Sequence, residues 1–232
     1  MVNPKPAVDI RAELAKTLFS SEGEDVLSDL CACARVEQFE VATLLNAANQ
    51  PLEWLRLVVQ GHIEIVVRRA SGAEVAIADM GPGTWATWLA CFVPPDHDFY
   101  SSASACYIAL PTRVVREVCF AHPALYPRII GAIGVRMRQL MEWTGQSVLM
   151  SPEQRMAKLI HLMARTQGIA GNAGTLHATQ ARLAQLARCS RQSDNLLLGA
   201  LENRGLIRQA YGRFEIDDLV RLAVFSEEDA SD

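Results

Sequence analysis

Arginine side chains are concentrated in one short stretch of a chain that is otherwise acidic. Residues 176–214 carry six arginines against Asp194 and Glu202, a net charge of +4, whereas the whole chain carries −4. Guanidinium groups are permanent cations that form charge-assisted hydrogen bonds with phosphate oxygens. A basic segment in an acidic chain therefore predicts contact with the phosphates of a nucleic acid. The six are Arg182, Arg188, Arg191, Arg204, Arg208 and Arg213.

Two short helices joined by a tight turn are predicted over residues 179–205. Ser190 suits the N-cap of the second helix, because its hydroxyl oxygen can accept a hydrogen bond from a backbone N–H of the first turn. Gly205 suits the end of that helix, where the backbone takes a positive φ. Such a pair forms a helix-turn-helix, whose second helix fits the major groove of a duplex. Apolar residues recur at helical spacing in both: Leu183, Leu186 and Ala187, then Leu197, Leu198 and Leu201.

A two-stranded wing is predicted directly after the second helix. Leu206 and Ile207 supply its first strand, Gly212 its turn and residues 214–216 its second strand. A helix-turn-helix followed by a wing is a more specific pattern than either feature alone, and it favours binding to double-stranded DNA. The remaining alternative is a solvated helical hairpin within an α-helical domain.

Length and composition exclude several other classes of protein. The 232 residues, 50% of them hydrophobic, suffice for one or two domains with sizeable cores. No long uncharged apolar run predicts a membrane span, and the N-terminus lacks an apolar segment of signal-peptide type, so we expect a cytoplasmic protein. The six cysteines are then expected to be thiols. No spacing of nucleophile and base indicates an enzyme.

The first half of the chain changes from helical to β-rich periodicity. Residues 8–36 have a helical pattern, and the β-rich runs after them are punctuated by glycines such as Gly61. Many short strands with turn signals predict a small antiparallel barrel or jelly roll. The runs are residues 39–45, 54–60, 62–68, 75–80 and 105–110.

After the last β-rich run, the helical period returns. One long helix is predicted from Ala121 to about residue 150, and its length suits pairing between two subunits. The alternative is a helix packed only on its own barrel. Ser151 begins the next helix as N-cap, with Pro152 at the first position and Gln154 completing a capping box. The residues predicted to pair two copies are Ile129, Ile133, Leu140 and Met141.

The fold class predicted from this order is α+β, in three parts. Residues 1–120 form an antiparallel β-barrel sensor domain of jelly-roll type, residues 121–150 a dimerisation helix, and residues 151–232 a winged helix-turn-helix domain. Because winged helices usually read two half-sites, we expect a homodimer.

This order of elements resembles the CRP/FNR superfamily of bacterial transcription regulators, over roughly residues 15–222. Residues 59–63 (VQGHI) are similar to a glycine corner of the family's cyclic-nucleotide-binding-like barrel, and residues 80–85 (MGPGTW) to the entry of its ligand loop. Residues 108–111 look like its last barrel strand, and residues 179–207 match its helix-turn-helix. The resemblance implies that a shift of two long helices resets the two recognition helices, and it makes RNA polymerase a candidate partner.

The resemblance also implies roles for individual residues. Thr179 and Gln180 begin the first helix, where the family contacts phosphate, and Ser190 caps the recognition helix. Arg191 and Gln192 stand where the family reads bases; arginine suits guanine O6 and N7, and glutamine suits adenine N6 and N7. The residues expected to contact DNA are Thr179, Gln180, Arg182, Ser190, Arg191, Gln192, Ser193, Asn195, Arg208 and Arg213.

Three residues depart from the family's pattern in this region. Leu196 stands where many members carry an arginine; it donates no hydrogen bond, though it can contact a thymine methyl. Asp194 stands where an apolar residue usually faces the core, so we expect it to be exposed or to meet Arg188 or Arg191. Arg188 replaces a frequent turn glycine, and a positive φ there would cost about 1 kcal/mol. Asp194 and Leu196, together with the net negative charge of the chain, motivate an alternative, an interaction module with degenerate DNA readout.

The segment similar to the ligand loop lacks the groups that bind a cyclic nucleotide. Trp88 occupies the place of the family's glutamate, and no arginine or lysine lies between Arg69 and Arg113 to bind the phosphate. We therefore expect a signal other than cyclic AMP in the usual mode, either an unidentified apolar or aromatic effector or a pocket filled by its own side chains. The predicted effector-pocket residues are Gly83, Thr84, Trp85, Trp88, Ser101 and Ser102.

No cofactor or metal site is predicted. Cys31 and Cys33 are too close in sequence for a Cys-x-x-Cys zinc pair, and the five histidines are scattered along the chain. A haem or redox sensor of the same fold, with His or Cys ligation, stays open as an alternative and would show in a visible absorption spectrum.

Overall fold

The computed structural model describes residues 8–21, 24–68, 74–167, 169, 171–187 and 189–227. The chain divides into two compact units: a first of Met1–Glu64 and Met80–Arg136, and a second of Ile65–Asp79 and Met137–Asp232. Within the described ranges, no helix is both long and apolar enough to cross a lipid bilayer.

Two short helices open the first unit, α1 (Ile10–Ala15) and α2 (Glu24–Cys33), with a 3-10 turn at Leu18–Ser21 between them. Asp9 caps α1, because its Oδ1 accepts a hydrogen bond from the N–H of Ala12 at 3.0 Å. The predicted helical segment is thus confirmed in outline. It ends at residue 33 rather than 36, since the chain then enters the first strand.

In the part of the chain that the structure describes, seven strands follow, arranged in two sheets. They are β1 (Arg35–Phe39), β2 (Leu44–Asn46), β3 (Trp54–Gln60), β4 (Ile63–Arg68), β5 (Glu74–Met80), β6 (Asp98–Ser101) and β7 (Ala105–Pro111). The strand orders are β1-β7-β3, which is antiparallel throughout, and β2-β6-β4-β5. Residues 105–110 of β7 are all buried, as expected for a central strand that is covered on both faces.

One strand prediction is wrong, and one strand was not predicted. Residues 39–45 do not form one strand, because the chain bends at residues 40–43 between β1 and β2. Strand β6 was not predicted, since it begins with a polar residue, Asp98. That side chain is nevertheless buried, and its Oδ1 accepts a hydrogen bond from the backbone N–H of Ala48 at 2.7 Å. Local periodicity in the sequence cannot reveal a hydrogen-bond partner that lies 50 residues away.

The corner between β3 and β4 requires glycine. Gly61 has φ of 77°, and a Cβ there would lie 2.6 Å from Ser102 Oγ and 2.9 Å from Ala105 Cβ. Any other residue would combine backbone strain with a steric clash. The predicted glycine corner is confirmed.

Two helices, rather than one, lead out of the first unit: α3 (Thr112–Ala121) and α4 (Leu125–Leu149). The long helix was predicted to start at Ala121, which is instead the end of α3. His122 precedes a proline and has φ of −124° and ψ of 75°, outside the helical region. The ring of Pro123 disfavours a helical conformation at the residue before it, so the helix breaks there.

The second unit contains α5 (Pro152–Thr166), β8 (Gly174–Leu176), α6 (Gln180–Ala187), α7 (Arg191–Asn203), β9 (Arg208–Ala210), β10 (Arg213–Ile216) and α8 (Leu219–Glu227). The capping box at the start of α5 is confirmed: Ser151 Oγ accepts from the N–H of Gln154 at 3.2 Å, and Gln154 Oε1 accepts from the N–H of Ser151 at 2.8 Å. Leu183, Leu198 and Leu201 are fully buried in one core, as their periodicity predicts.

The wing has three strands rather than two. Its order is β8-β10-β9, and β8 comes from before the helix-turn-helix. Leu206 and Ile207, predicted as the first wing strand, lie between α7 and β9 and are buried in the core. Two apolar residues in succession fit a buried connection better than an exposed strand, whose side chains alternate between its faces.

Candidate nucleic-acid interface

The second helix of the helix-turn-helix, α7, is capped as predicted. Ser190 has extended backbone angles, φ −71° and ψ 156°, and its Oγ accepts a hydrogen bond from the N–H of Ser193 at 3.1 Å. At the other end, Gly205 has φ of 67°, in the left-handed region where glycine is favoured. Both ends of α7 are thus defined by local chemistry.

Replacing Ser190 with alanine is expected to lower the free energy of unfolding by about 1 kcal/mol, because the N–H of Ser193 loses its acceptor. Urea denaturation followed by circular dichroism measures the change. Ser190→Asp is the matched control: its carboxylate can still cap and also favours the helix N-terminus, so it should retain stability. Equal losses for both variants would contradict a capping role.

The first turns of α7 present a solvent-exposed face. Gln192, Asn195 and Leu196 are exposed at spacings of three and four residues, so they lie on one side of the helix. Ser193 is half-buried, and its Oγ lies 2.9 Å from Ser190 Oγ. Arg191 is the first residue of α7; its side chain lies outside the described part of the structure. This face has the donors, acceptors and methyl groups that base edges require.

A hydrogen-bonded chain links α6, the wing and α7. Gln180 of α6 is exposed, and its Nε2 donates to Oε1 of Gln209 in β9 at 2.9 Å. Gln209 in turn donates to the Glu202 carboxylate through its backbone N–H, at 2.8 Å, and through its side chain, at 2.9 Å. These bonds lower the pKa of Glu202, the backbone bond most of all. Thr179 directly precedes α6, and its Oγ1 accepts a hydrogen bond from the N–H of Arg182 at 3.1 Å.

The wing carries two exposed arginines, each beside a carboxylate. Arg208 Nη2 lies 2.8 Å from Asp217 Oδ1, and Arg213 Nε lies 2.8 Å from Glu215 Oε1. Exposed pairs of this kind contribute little to stability, so phosphates can compete for both guanidinium groups. Between them, Tyr211 is fully exposed at the tip of the wing. The sequence analysis did not select Tyr211, which stands directly before the turn glycine Gly212.

Arg182 does not lie on an exposed surface. Its guanidinium forms an ion pair with Asp79 of β5, and its side chain is only 13% exposed. Both residues belong to the second unit, although 103 positions separate them in sequence. The predicted contact of Arg182 with DNA is therefore not available in this conformation, because a tertiary partner already holds the guanidinium.

Asp194 is buried, and the expectation of an exposed side chain is wrong. It is 0% exposed, and within the described residues neither carboxylate oxygen has a hydrogen-bond partner. Desolvation raises its pKa to about 6. Its position explains the burial, since residues 194, 198 and 201 share one helical face and the latter two are core leucines. Arg188 and the side chain of Arg191, the expected partners, lie outside the described residues.

Aromatic rings of the first unit contact one another at the two tryptophans predicted for the effector pocket. The Trp85 and Trp88 centroids are 5.3 Å apart, and each lies 5.9 Å from the ring of Phe19. Phe19, from the 3-10 turn after α1, is fully buried. These ring contacts lie among the residues predicted for the effector pocket.

The polar residues predicted for the same pocket are engaged with the backbone. Ser101 Oγ accepts from the N–H of Thr43 at 2.9 Å, and Ser102 Oγ accepts from the N–H of His62 at 3.0 Å. Thr84 Oγ1 donates to the Gly81 carbonyl at 2.5 Å. Gly83 is exposed in the turn, with φ of 78°. These hydroxyls therefore stabilise loops.

The residues predicted for dimerisation fall into two groups. Ile129 is 2% exposed and belongs to the core of its own unit, so it is not free to meet a second copy. Ile133 is half-buried, whereas Leu140 and Met141 are exposed. Two residues that sequence reasoning did not select, Ile130 and Met137, are exposed on the same side of α4.

Comparisons with known proteins give the same architecture. Residues 154–225 match the family model of the Crp-like helix-turn-helix domain. FixK2 from Bradyrhizobium japonicum is similar over 86% of this chain and 98% of its own, with a TM-score of 0.71 at 12% identity. A putative transcriptional regulator of the Crp/Fnr family from Eubacterium rectale covers 91% and 98%, with a TM-score of 0.69 at 14% identity.

A CRP-family transcriptional regulator from Thermus thermophilus covers 84% of this chain and 98% of its own, with a TM-score of 0.65 at 17% identity. The comparison with curated proteins found no match. At these identities the structural likeness establishes the fold, and the predicted α+β class is confirmed.

Proposed function

The chain carries a Crp-like helix-turn-helix domain and has the fold of CRP/FNR-type DNA-binding transcription regulators, and from that premise we propose that it binds duplex DNA as a homodimer and regulates transcription. One observation carries the proposal. A helix capped at Ser190 exposes Gln192, Asn195 and Leu196 beside a wing with two exposed arginines. Such a surface offers base-reading groups next to phosphate-binding groups.

The roles divide by chemistry. Arg191 and Gln192, at the start of α7, are assigned to base edges in the major groove. Arg208 and Arg213 on the wing, and Thr179 and Gln180 at the start of α6, are assigned to the DNA backbone. Ser193 and Asn195 are the remaining residues assigned to contact DNA, and Ser190 caps α7.

A gel-shift titration against genomic fragments at two salt concentrations tests this function. Binding that prefers certain fragments and weakens at the higher salt concentration is expected, because phosphate contacts release counterions. Binding that is absent or indifferent to sequence would favour the alternative of an interaction module that has lost DNA readout.

The homodimer is proposed to form along α4. Ile130, Ile133, Met137, Leu140 and Met141 recur every three or four residues, and four of these five are exposed in the single chain. An apolar stripe of this kind on a 25-residue helix is suited to pairing with a second copy. A dimer would also present two copies of α7 to two half-sites.

Replacing Met137 with glutamate is expected to raise the dimer dissociation constant by about 100-fold, because a charge without a partner would be buried in the paired helices. Sedimentation equilibrium measures the constant. Val135→Glu is the matched control, since Val135 is also exposed but lies on another side of α4. A similar effect from both variants would place the interface elsewhere.

The signal is proposed to be something other than cyclic AMP in the usual mode. The aromatic packing of Phe19 with Trp85 and Trp88, together with the absence of a basic residue between Arg69 and Arg113, supports this proposal. The same proposal divides the chain into a sensor (1–120), a dimerisation helix (121–150) and a DNA-binding domain (151–232). It also includes a cytoplasmic location and contact with RNA polymerase. An effector that binds the folded protein would raise its melting temperature.

A further inference from the structure

Arg182 lies on the first helix of the helix-turn-helix, yet its charge is engaged within the protein. The Arg182 side chain is 13% exposed and the Asp79 side chain 8% exposed, so the ion pair is largely withdrawn from water. A second ion pair, between β4 and β5, provides a contrast. Arg68 Nη2 lies 2.8 Å from Glu74 Oε1, and both side chains are 51% exposed. Of these two pairs, the one that includes a residue of the helix-turn-helix is the less exposed.

The chemistry of Asp79 resembles that of a DNA phosphate. Both are oxyanions that accept charge-assisted hydrogen bonds from guanidinium. The Arg182 guanidinium cannot offer the same N–H groups to Asp79 and to a phosphate at once. Neighbouring residues at the start of α6, Thr179 and Gln180, are assigned to the DNA backbone. A duplex that approaches α6 therefore competes with Asp79 for Arg182.

We propose that Asp79 is an autoinhibitory latch: it occupies Arg182 as a phosphate mimic, and its release increases the affinity of the helix-turn-helix for DNA. The inference rests on the proposed function, since it presumes a duplex as the competitor. By linkage, any event that draws Asp79 away from α6 favours DNA binding, and DNA binding favours release of Asp79 to the same degree. The latch gives residues 74–79 a regulatory role that does not require them to touch DNA.

Neutralising the latch provides the test. The probe is a fluorescein-labelled duplex of mixed sequence, because a phosphate contact does not depend on base sequence. Fluorescence anisotropy is measured at two salt concentrations for the wild type, Asp79→Asn, Arg182→Gln and the double variant. Glu74→Gln is the matched control, since it removes one negative charge from β5 at the exposed ion pair between Arg68 and Glu74.

Asp79→Asn is expected to tighten binding by on the order of tenfold and to steepen the salt dependence by about one phosphate contact. Glu74→Gln should bind as the wild type does. In the Arg182→Gln background, Asp79→Asn should have no further effect, because the guanidinium that it frees is gone.

Each other outcome overturns the inference in a distinguishable way. If Asp79→Asn binds no tighter than a wild type that does bind, the latch is wrong and the proposed function stands. If Asp79→Asn tightens binding equally without Arg182, or if Glu74→Gln tightens it as much, the effect is general charge repulsion. If no variant binds at either salt concentration, the proposed function falls together with the latch.

A second measurement covers the case in which Asp79→Asn fails to fold. Amide hydrogen exchange in residues 74–79 should be faster in Arg182→Gln than in the wild type, because the strand loses a tertiary partner. Unchanged exchange in that strand would show that the ion pair does not hold it, and the latch would be rejected.

Discussion

Replacing Asp194 with leucine is expected to raise the free energy of unfolding by about 3 kcal/mol at pH 8. The buried carboxyl has a pKa of about 6, against an ordinary value of 3.8, because burial disfavours its charged form. Above pH 6 the folded protein must hold an ionised group at 0% exposure. Leucine at this position removes that cost and extends the core formed by Leu198 and Leu201.

The raised pKa of Asp194 also sets the direction in which its contribution to stability changes with pH. The folded state binds more protons than the unfolded state between about pH 4 and pH 6, so the contribution of Asp194 is most favourable below pH 4 and is lost as the pH rises through 6. Urea denaturation across this range should show that the free energy of unfolding of Asp194→Leu, relative to that of the wild type, rises between pH 4 and pH 6, because the other carboxylates contribute alike to both proteins. Asn195→Leu, at the exposed neighbouring position, should alter stability by less than about 0.5 kcal/mol. An Asp194→Leu protein no more stable than wild type at pH 8 would contradict this account.

Replacing Arg191 with alanine is expected to remove most of the preference for the target site while salt-sensitive binding to other sequences remains. A bidentate contact between arginine and guanine contributes about 1–3 kcal/mol of discrimination, so the ratio of specific to nonspecific affinity should fall by about 10- to 100-fold. Fluorescence anisotropy with a site selected from a randomised duplex pool, and with a scrambled version of that site, measures the ratio.

Arg213→Ala is the control for this substitution, because it removes a wing arginine assigned to phosphate. It should weaken binding to both duplexes alike and reduce the slope of affinity against salt by about one contact. If Arg191→Ala behaves in the same way, Arg191 is a phosphate contact and another residue of α7 reads the bases.

Local chemistry accounts for the features that could be predicted from the sequence. The caps at Ser190 and Ser151 and the positive φ of Gly61 and Gly205 each depend on a few neighbouring atoms. Burial of Leu198 and Leu201 follows from helical periodicity alone. These features suffice to identify the helix-turn-helix and its boundaries.

Tertiary partners account for the features that could not be predicted. Asp98 starts a buried strand because a backbone N–H from residue 48 reaches its carboxylate. Arg182 is withdrawn from the surface by a carboxylate 103 positions away. Asp194 differs from both: the family resemblance placed it at a core-facing position, and the cost of burying a carboxylate led to the expectation of an exposed or paired side chain, of which exposure is wrong.

The hydrogen bonds from Gln209 to Glu202 join the wing to the recognition helix at a set separation. A duplex that is gripped at both points must adopt a matching groove width and curvature. Stretches of base pairs that bend or narrow at low energetic cost will then be favoured, even where no side chain reaches them. Under the proposed function, this pair would fix the distance between the wing and α7, and the bending stiffness of the DNA would then contribute to the choice of site.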